Sequence, residues 1–184
     1  MQKIPTLFLR DPDVNFRYVW CETHPDCQWV IDGEGAPTRK LDGTCVLLRG
    51  DRVFKRREVK RGKPEPDGFE LVETDAATGK SVGWVEVGDG PDDKWHREAV
   101  SNMIGLIEDG TYELCGPKVQ GNPEGYPVHT LVRHGAIGLD DVPRSFRALS
   151  GWLHDRLYEG VVWHHPDGRM AKIKKKDFPA VESA

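Results

Sequence analysis

The sequence predicts an α+β protein built from mixed antiparallel sheets flanked by helices. Short apolar runs bounded by Gly and Asp recur along the N-terminal half, two stretches carry apolar residues at helical spacing, and the chain closes on a hairpin signal. The strand-like runs are Thr6–Leu9, Gln28–Ile31, Thr44–Arg49, Gly83–Val87 and Gly110–Leu114, several followed by Gly or Asp turn residues. Lys94 to Ile107 reads as a helix, with Trp95, Ala99, Met103 and Ile107 four apart. Ser145 to Leu157 reads as a second, with Phe146, Leu149, Leu153 and Leu157 on one stripe. Gly160–Trp163 and Met170–Lys174 flank a turn at His165-Pro166-Asp167-Gly168 and form the hairpin.

Neither a repeat nor a linker divides the 184 residues, so one domain over 1–184 is expected. With 38% hydrophobic and 30% charged residues, the chain can bury a core without disulfide staples. No apolar run approaches the roughly 20 residues of a membrane span, and the N-terminus lacks the apolar stretch of a secretory signal. Four cysteines without export features point to reduced thiols and a cytoplasmic location. A net charge of −4 argues against a nucleic-acid partner until its distribution is considered. Arg52 to Lys63 holds seven basic residues and one acidic, and Arg169 to Lys176 holds five basic and none acidic. Such stripes on an acidic body are either solvated faces or local grips for phosphate.

Four segments carry candidate chemistry. Lys40-Leu41-Asp42-Gly43 lies between two predicted strands and, alone, is an ordinary turn with a lysine. Glu113 sits in a strand that stops at Gly116-Pro117, and Glu159 precedes the apolar run Gly160-Val161-Val162. Lys172 and Lys174 are two apart in a strand, so alternation puts both ammonium groups on one face. Like charges there repel unless the strand is a solvated edge or a polyphosphate lies between them.

In this order the segments resemble the motif series of the covalent nucleotidyltransferases, the superfamily of DNA ligases, RNA ligases and mRNA capping enzymes. Ala36 to Cys45, Tyr112 to Asn122 and Lys172 to Phe178 look like the compact 5′-to-3′ RNA ligases of the RNA ligase 1 type, over roughly residues 28 to 178. The resemblance implies an ATP-grasp-like nucleotidyltransferase domain. It also implies ATP as co-substrate, Mg²⁺ or Mn²⁺ as metal, and RNA with 5′-phosphate and 3′-hydroxyl ends as partner. Lys40 would attack the α-phosphate of ATP, AMP would pass to an RNA 5′-phosphate, and a 3′-hydroxyl would displace it.

The remaining roles follow from the same resemblance. Glu113 would hold the ribose or help position a metal, and Glu159 would be the principal carboxylate for Mg²⁺. Lys172 and Lys174 would grip the α-phosphate; Asp42 and Gly43 would shape the turn presenting Lys40, with Arg39 beside it at the nucleotide. Val161 is taken for the adenine pocket, since alternation keeps Val161 and Val162 from both facing it. An arginine for the ribose or terminal phosphates falls on Arg56 or Arg57; Arg57 is taken, though a solvated basic loop fits these residues nearly as well. His96 reads as a packed helix-end residue before a phosphate contact. Cys21, His24 and Cys27 supply three soft ligands where a structural zinc site needs four, and His164-His165 point opposite ways on a strand.

The chain ends ten residues after Lys174, leaving no room for the C-terminal OB module that many ligases carry, so none is expected. The competing readings are a DNA ligase, an adenylyltransferase that does not seal strands, and an RNA-binding module that has lost its chemistry.

Overall fold

A computed structural model describes residues 2–76, 78–105 and 108–179. In chain order the strands are β1 (Phe8–Arg10), β2 (Val19–Thr23), β3 (Ala36–Lys40), β4 (Thr44–Arg49), β5 (Arg52–Val59) and β6 (Glu70–Thr74). They continue as β7 (Ser81–Glu86), β8 (Gly110–Cys115), β9 (Thr130–Arg133), β10 (Gly160–His164) and β11 (Met170–Lys174). The α-helices are α1 (Gln28–Ile31), α2 (Lys94–Ser101) and α3 (Phe146–His154). Paired strands run antiparallel throughout, which gives the α+β architecture expected. No helix among the described residues is long and apolar enough to cross a membrane.

The chain forms two compact units, and the first is inserted in the sequence of the second. The first, mainly Asp42–His134, is a six-stranded sheet in the order β6-β7-β5-β4-β8-β9. Val46 of β4 pairs with Lys55 of β5 and with Tyr112 of β8. Its apolar face carries Val46, Leu48, Tyr112, Leu114 and Leu131, covered by Ala99, Trp95 and Val100 of α2. The β4–β5 hairpin closes with Arg49 opposite Arg52 across Gly50-Asp51, where Gly50 takes the left-handed φ of 61° that a tight turn favours.

The second unit runs from Ile4 to Leu41 and resumes at Gly135. It holds the sheet β11-β10-β3 and the β1–β2 ribbon. Val161, Trp163, Ala171 and Ile173 pack with Leu149 and Leu153 of α3, Phe8 of β1 and Val30 of α1 into its core. The terminal hairpin forms in the register the sequence predicts, with Gly160 opposite Lys174 and Trp163 opposite Ala171.

Four stretches differ from expectation. Gln28–Ile31 is a helical turn rather than a strand: a 3₁₀ turn at Pro25–Cys27 leads into it, and the Asp32 N–H donates to the Gln28 carbonyl. Its consecutive Trp29 and Val30 are both buried, and a run of only three apolar residues does not separate helix from strand by periodicity. Helix α2 stops at Ser101, where the Asn102 amide donates to the His129 carbonyl at 3.0 Å; Met103 packs beyond its end, and Ile107 lies outside the described residues. Helix α3 ends at His154, so Leu157 falls off the stripe and is 93% exposed. The stretch from Lys55 to Val59 belongs to β5 and is not a loop.

Candidate active site

In the second unit, Gly160 heads the central strand, with Lys40 directly across from it on β3 and Lys174 directly across on β11. Paired residues of antiparallel strands project to the same face, so both lysines rise on one side. A side chain at Gly160 would crowd this junction: a Cβ there would sit 2.1 Å from the Ile173 carbonyl oxygen and 2.9 Å from Lys174 Cα. Only glycine lets the strands approach so closely.

Glu159, one residue before Gly160, closes the cluster. Lys40 Nζ donates to its Oε2, and Lys174 Nζ lies 2.5 Å from its Oε1. The Glu159 side chain is 9% exposed. Burial alone would raise its carboxyl pKa, but Lys40 and Lys174 outweigh that and hold the group below the usual carboxylate range. Lys172 stands two residues from Lys174, opposite Val162, and shares this face by alternation. The result is a carboxylate held between two ammonium groups, an arrangement that an incoming phosphate can enter by taking the cations over from Glu159.

Alternation separates other expected residues from this face. Arg39 pairs with Val161, and Val161 with Ile173, on the opposite side of the sheet. Val161 is fully buried in the apolar core, whereas Val162 lies on the lysine face. The Arg39 guanidinium stacks over Tyr158, 4.6 Å from the ring centroid. An adjacent lysine and arginine on one strand cannot both serve one face, and the apolar pattern of Val161-Val162-Trp163 hides which side is core.

In the first unit, Glu113 of β8 is buried and held from two sides. The Gly43 N–H donates to its Oε1 at 3.0 Å, and His134 Nε2 lies 2.8 Å from its Oε2. A Cβ at Gly43 would sit 2.2 Å from the Leu114 carbonyl oxygen and 2.9 Å from Glu113 Cγ, so this glycine gives the turn its approach to β8. The Asp42 N–H donates to Glu124 at 2.9 Å. His134 and Glu124 carry no motif spacing, and only the fold brings them here.

The register also sorts the two arginines of β5. Lys55 shares the face of Val46 and Tyr112, so Arg57 lies on the α2 side; Arg56, one residue off, lies on the side of Glu113. On the α2 side, buried Asp93 pairs with Lys55 and accepts the Gly88 N–H at 2.8 Å. Burial lowers the pKa of His96 on the same helix, aided by Lys55 and Arg57 and opposed by Asp93. Cys21 is exposed; Cys27 is buried, with its thiol pushed up to about 11 by burial and by Asp26. Among the described residues no three His, Cys, Asp or Glu side chains cluster as a metal site.

The chain is similar to known proteins over part of its length. The family model "RNA ligase 1" matches residues 90–180. The protein named RNA ligase 1 from Danio rerio is 34% identical over 93 residues, covering 46% of this chain and 29% of its own length. The one from Rattus norvegicus is 28% identical over 154 residues, 66% of this chain and 45% of its own, and the Mus musculus protein matches similarly, covering 44% of its length. The chain thus matches less than half the length of each. Its α+β antiparallel fold and these matches define an RNA ligase relative. Over residues 90–180 the chain is similar to the RNA ligase 1 family.

Proposed function

We propose that the protein is an ATP-dependent RNA ligase that carries AMP on Lys40 and joins an RNA 5′-phosphate to a 3′-hydroxyl, in the repair of broken RNA. The observation that carries this reading is the Glu159 carboxylate bridged by Lys40 and Lys174 across Gly160. Phosphoryl transfer depends on positioning and on cations placed where charge develops. In the resting arrangement Lys40 donates its proton to Glu159. When a nucleotide phosphate draws Lys174 and Lys172, Lys40 leaves the carboxylate and gives up one ammonium proton to solvent, which frees its lone pair. Its nitrogen then bonds to the α-phosphorus as the bond to pyrophosphate breaks, and a second proton passes from that nitrogen to solvent. AMP moves next to the RNA 5′-phosphate, and attack by the 3′-hydroxyl releases it and closes the strand.

Mg²⁺ takes one or two carboxylates and completes its shell with water and substrate phosphates. The Glu159 side chain, 9% exposed and with no metal-ligating cluster around it among the described residues, fits an ion that arrives with the nucleotide rather than an all-protein cage. Glu159 would hold it; bound there, the ion would neutralise phosphate charge. Glu113 is assigned to the ribose, and Arg56 is favoured over Arg57 for a nucleotide contact because it shares the Glu113 face.

The test is covalent labelling. Protein incubated with α-labelled ATP and Mg²⁺ should retain label after denaturation, and Lys40→Ala should retain none. Equal labelling of both would overturn the mechanism. Nicked RNA, DNA and hybrid duplexes presented to the adenylated protein then identify the polymer.

A further inference from the structure

His134 follows β9 directly and continues its register, its N–H donating to the Thr111 carbonyl at 3.1 Å. This aligns the imidazole with the Thr111 and Glu113 side chains, which share one face of β8. Nδ1 lies 2.9 Å from Thr111 Oγ1 and Nε2 lies 2.8 Å from Glu113 Oε2. An ionised carboxylate only accepts hydrogen bonds, so Nε2 must carry the proton facing it. Nδ1 of the neutral ring is then an acceptor, and the Thr111 hydroxyl donates to it. The chain Thr111 O–H to Nδ1, then Nε2–H to Oε2, thereby selects one tautomer, while the Gly43 N–H secures the other carboxylate oxygen.

We infer that His134 is a positioning residue: it fixes the rotation of the Glu113 carboxylate so that its remaining lone pairs meet a ribose hydroxyl of the incoming ribonucleoside triphosphate, with Thr111 setting the tautomer that makes this possible. The inference rests on the ATP-dependent reading above and adds a source of sugar selectivity to it. A carboxylate pinned at both oxygens keeps its direction, so a sugar lacking a hydroxyl leaves its remaining, buried lone pairs without a donor. A site built to bond a substrate hydroxyl rejects the analogue lacking it.

The experiment measures KM and kcat for self-adenylation with ATP, 2′-deoxyATP and 3′-deoxyATP. The proteins compared are wild type, His134→Ala, His134→Gln and Thr111→Val, each checked by thermal melting. Wild type should favour ATP over one deoxy analogue. His134→Ala should raise KM for ATP about tenfold, the scale of a hydrogen bond to a charged group, with kcat little changed and the sugar preference largely lost. His134→Gln keeps an N–H donor and should recover most of that preference; Thr111→Val should lose part of it. If wild type labels but shows no sugar preference, or if the preference persists in both His134→Ala and Thr111→Val, the role of His134 is overturned while the ligase reading stands. Should His134→Ala not fold, an unchanged preference in Thr111→Val overturns it alone. Wild type that takes no label sinks both.

Discussion

Glu159 and Glu113 are held in opposite ways. Glu159 is bracketed by the ammonium groups of Lys40 and Lys174, long flexible chains that carry full charge. Glu113 is bracketed by a backbone N–H and an imidazole, both fixed by strand register. Partners of the first kind can be surrendered to a phosphate, because a cation released from one anion takes up another at little cost. Partners of the second kind stay in place and define a direction. The difference separates a centre built for exchange of charge from one built for recognition, and it predicts that the two will respond differently to the same substitution.

The largest contrast should come from removing each carboxylate. Glu159→Leu leaves ammonium groups without their buried counter-charge, and breaking a buried pair from one side costs about 3 kcal/mol or more. Urea denaturation should register that loss, together with abolished labelling by ATP. Glu113→Leu removes neutral-donor hydrogen bonds and should cost about 1–3 kcal/mol. Equal losses would erase the distinction drawn between them.

Glycines sharpen the comparison at the next level. Gly160→Ala forces a methyl against the Ile173 carbonyl oxygen, and Gly43→Ala forces one against Leu114. Each should destabilise by about 1–3 kcal/mol. Gly138, with nothing within 4 Å of a built Cβ, should accept alanine within about 0.5 kcal/mol. Gly160→Ala should also weaken labelling by parting Lys40 from Lys174, whereas Gly43→Ala should raise KM for ATP.

Acid should separate the centres again. The Glu159 carboxyl sits below its ordinary value in the folded protein, so its contribution is complete above the unfolded-state pKa of roughly 4.3 and fades as pH falls through the folded value. Wild-type stability should therefore drop on acidification below about pH 4, and Glu159→Gln should flatten part of that drop. Asp93, lowered by Lys55 and the Gly88 N–H against its burial, contributes a decline of the same sign that Glu159→Gln leaves intact. An unchanged profile in Glu159→Gln would place the acid sensitivity elsewhere.

The order of motifs was enough to nominate Lys40, Glu159 and Lys174, because a lysine before Asp-Gly, a carboxylate entering a strand and lysines two apart are local patterns. What the sequence could not supply was facing. Arg39 and Val161 adjoin genuine members of the lysine face, yet alternation sends them to the other side, and only the register of β3 against β10 decides that. His134 escaped notice because its partner is 21 residues away, with no spacing rule linking the two. Gln28–Ile31 is ambiguous because the three apolar residues Trp29, Val30 and Ile31 fit a buried helical turn as well as a strand. The strands themselves were legible, since β4, β8, β10 and β11 are delimited by Gly and by turn residues.

The smallest expected effect tests facing directly. Arg56 and Arg57 are adjacent, equally charged and equally basic in the sequence, and they differ only in the side of β5 they occupy. Val46 fixes that side by pairing with both Lys55 and Tyr112. Arg56→Ala should raise KM for ATP in self-adenylation several-fold, about 1 kcal/mol for one charge-assisted contact to phosphate or ribose. Arg57→Ala should leave that KM unchanged. It should instead raise the pKa of His96, whose ring loses one of the cations that disfavour its charged form, a change that the pH dependence of the His96 NMR signals reads directly. The reverse pattern, a KM effect confined to Arg57, would mean that β5 presents its other face to the nucleotide and that Glu113 does not share a side with the arginine that binds it.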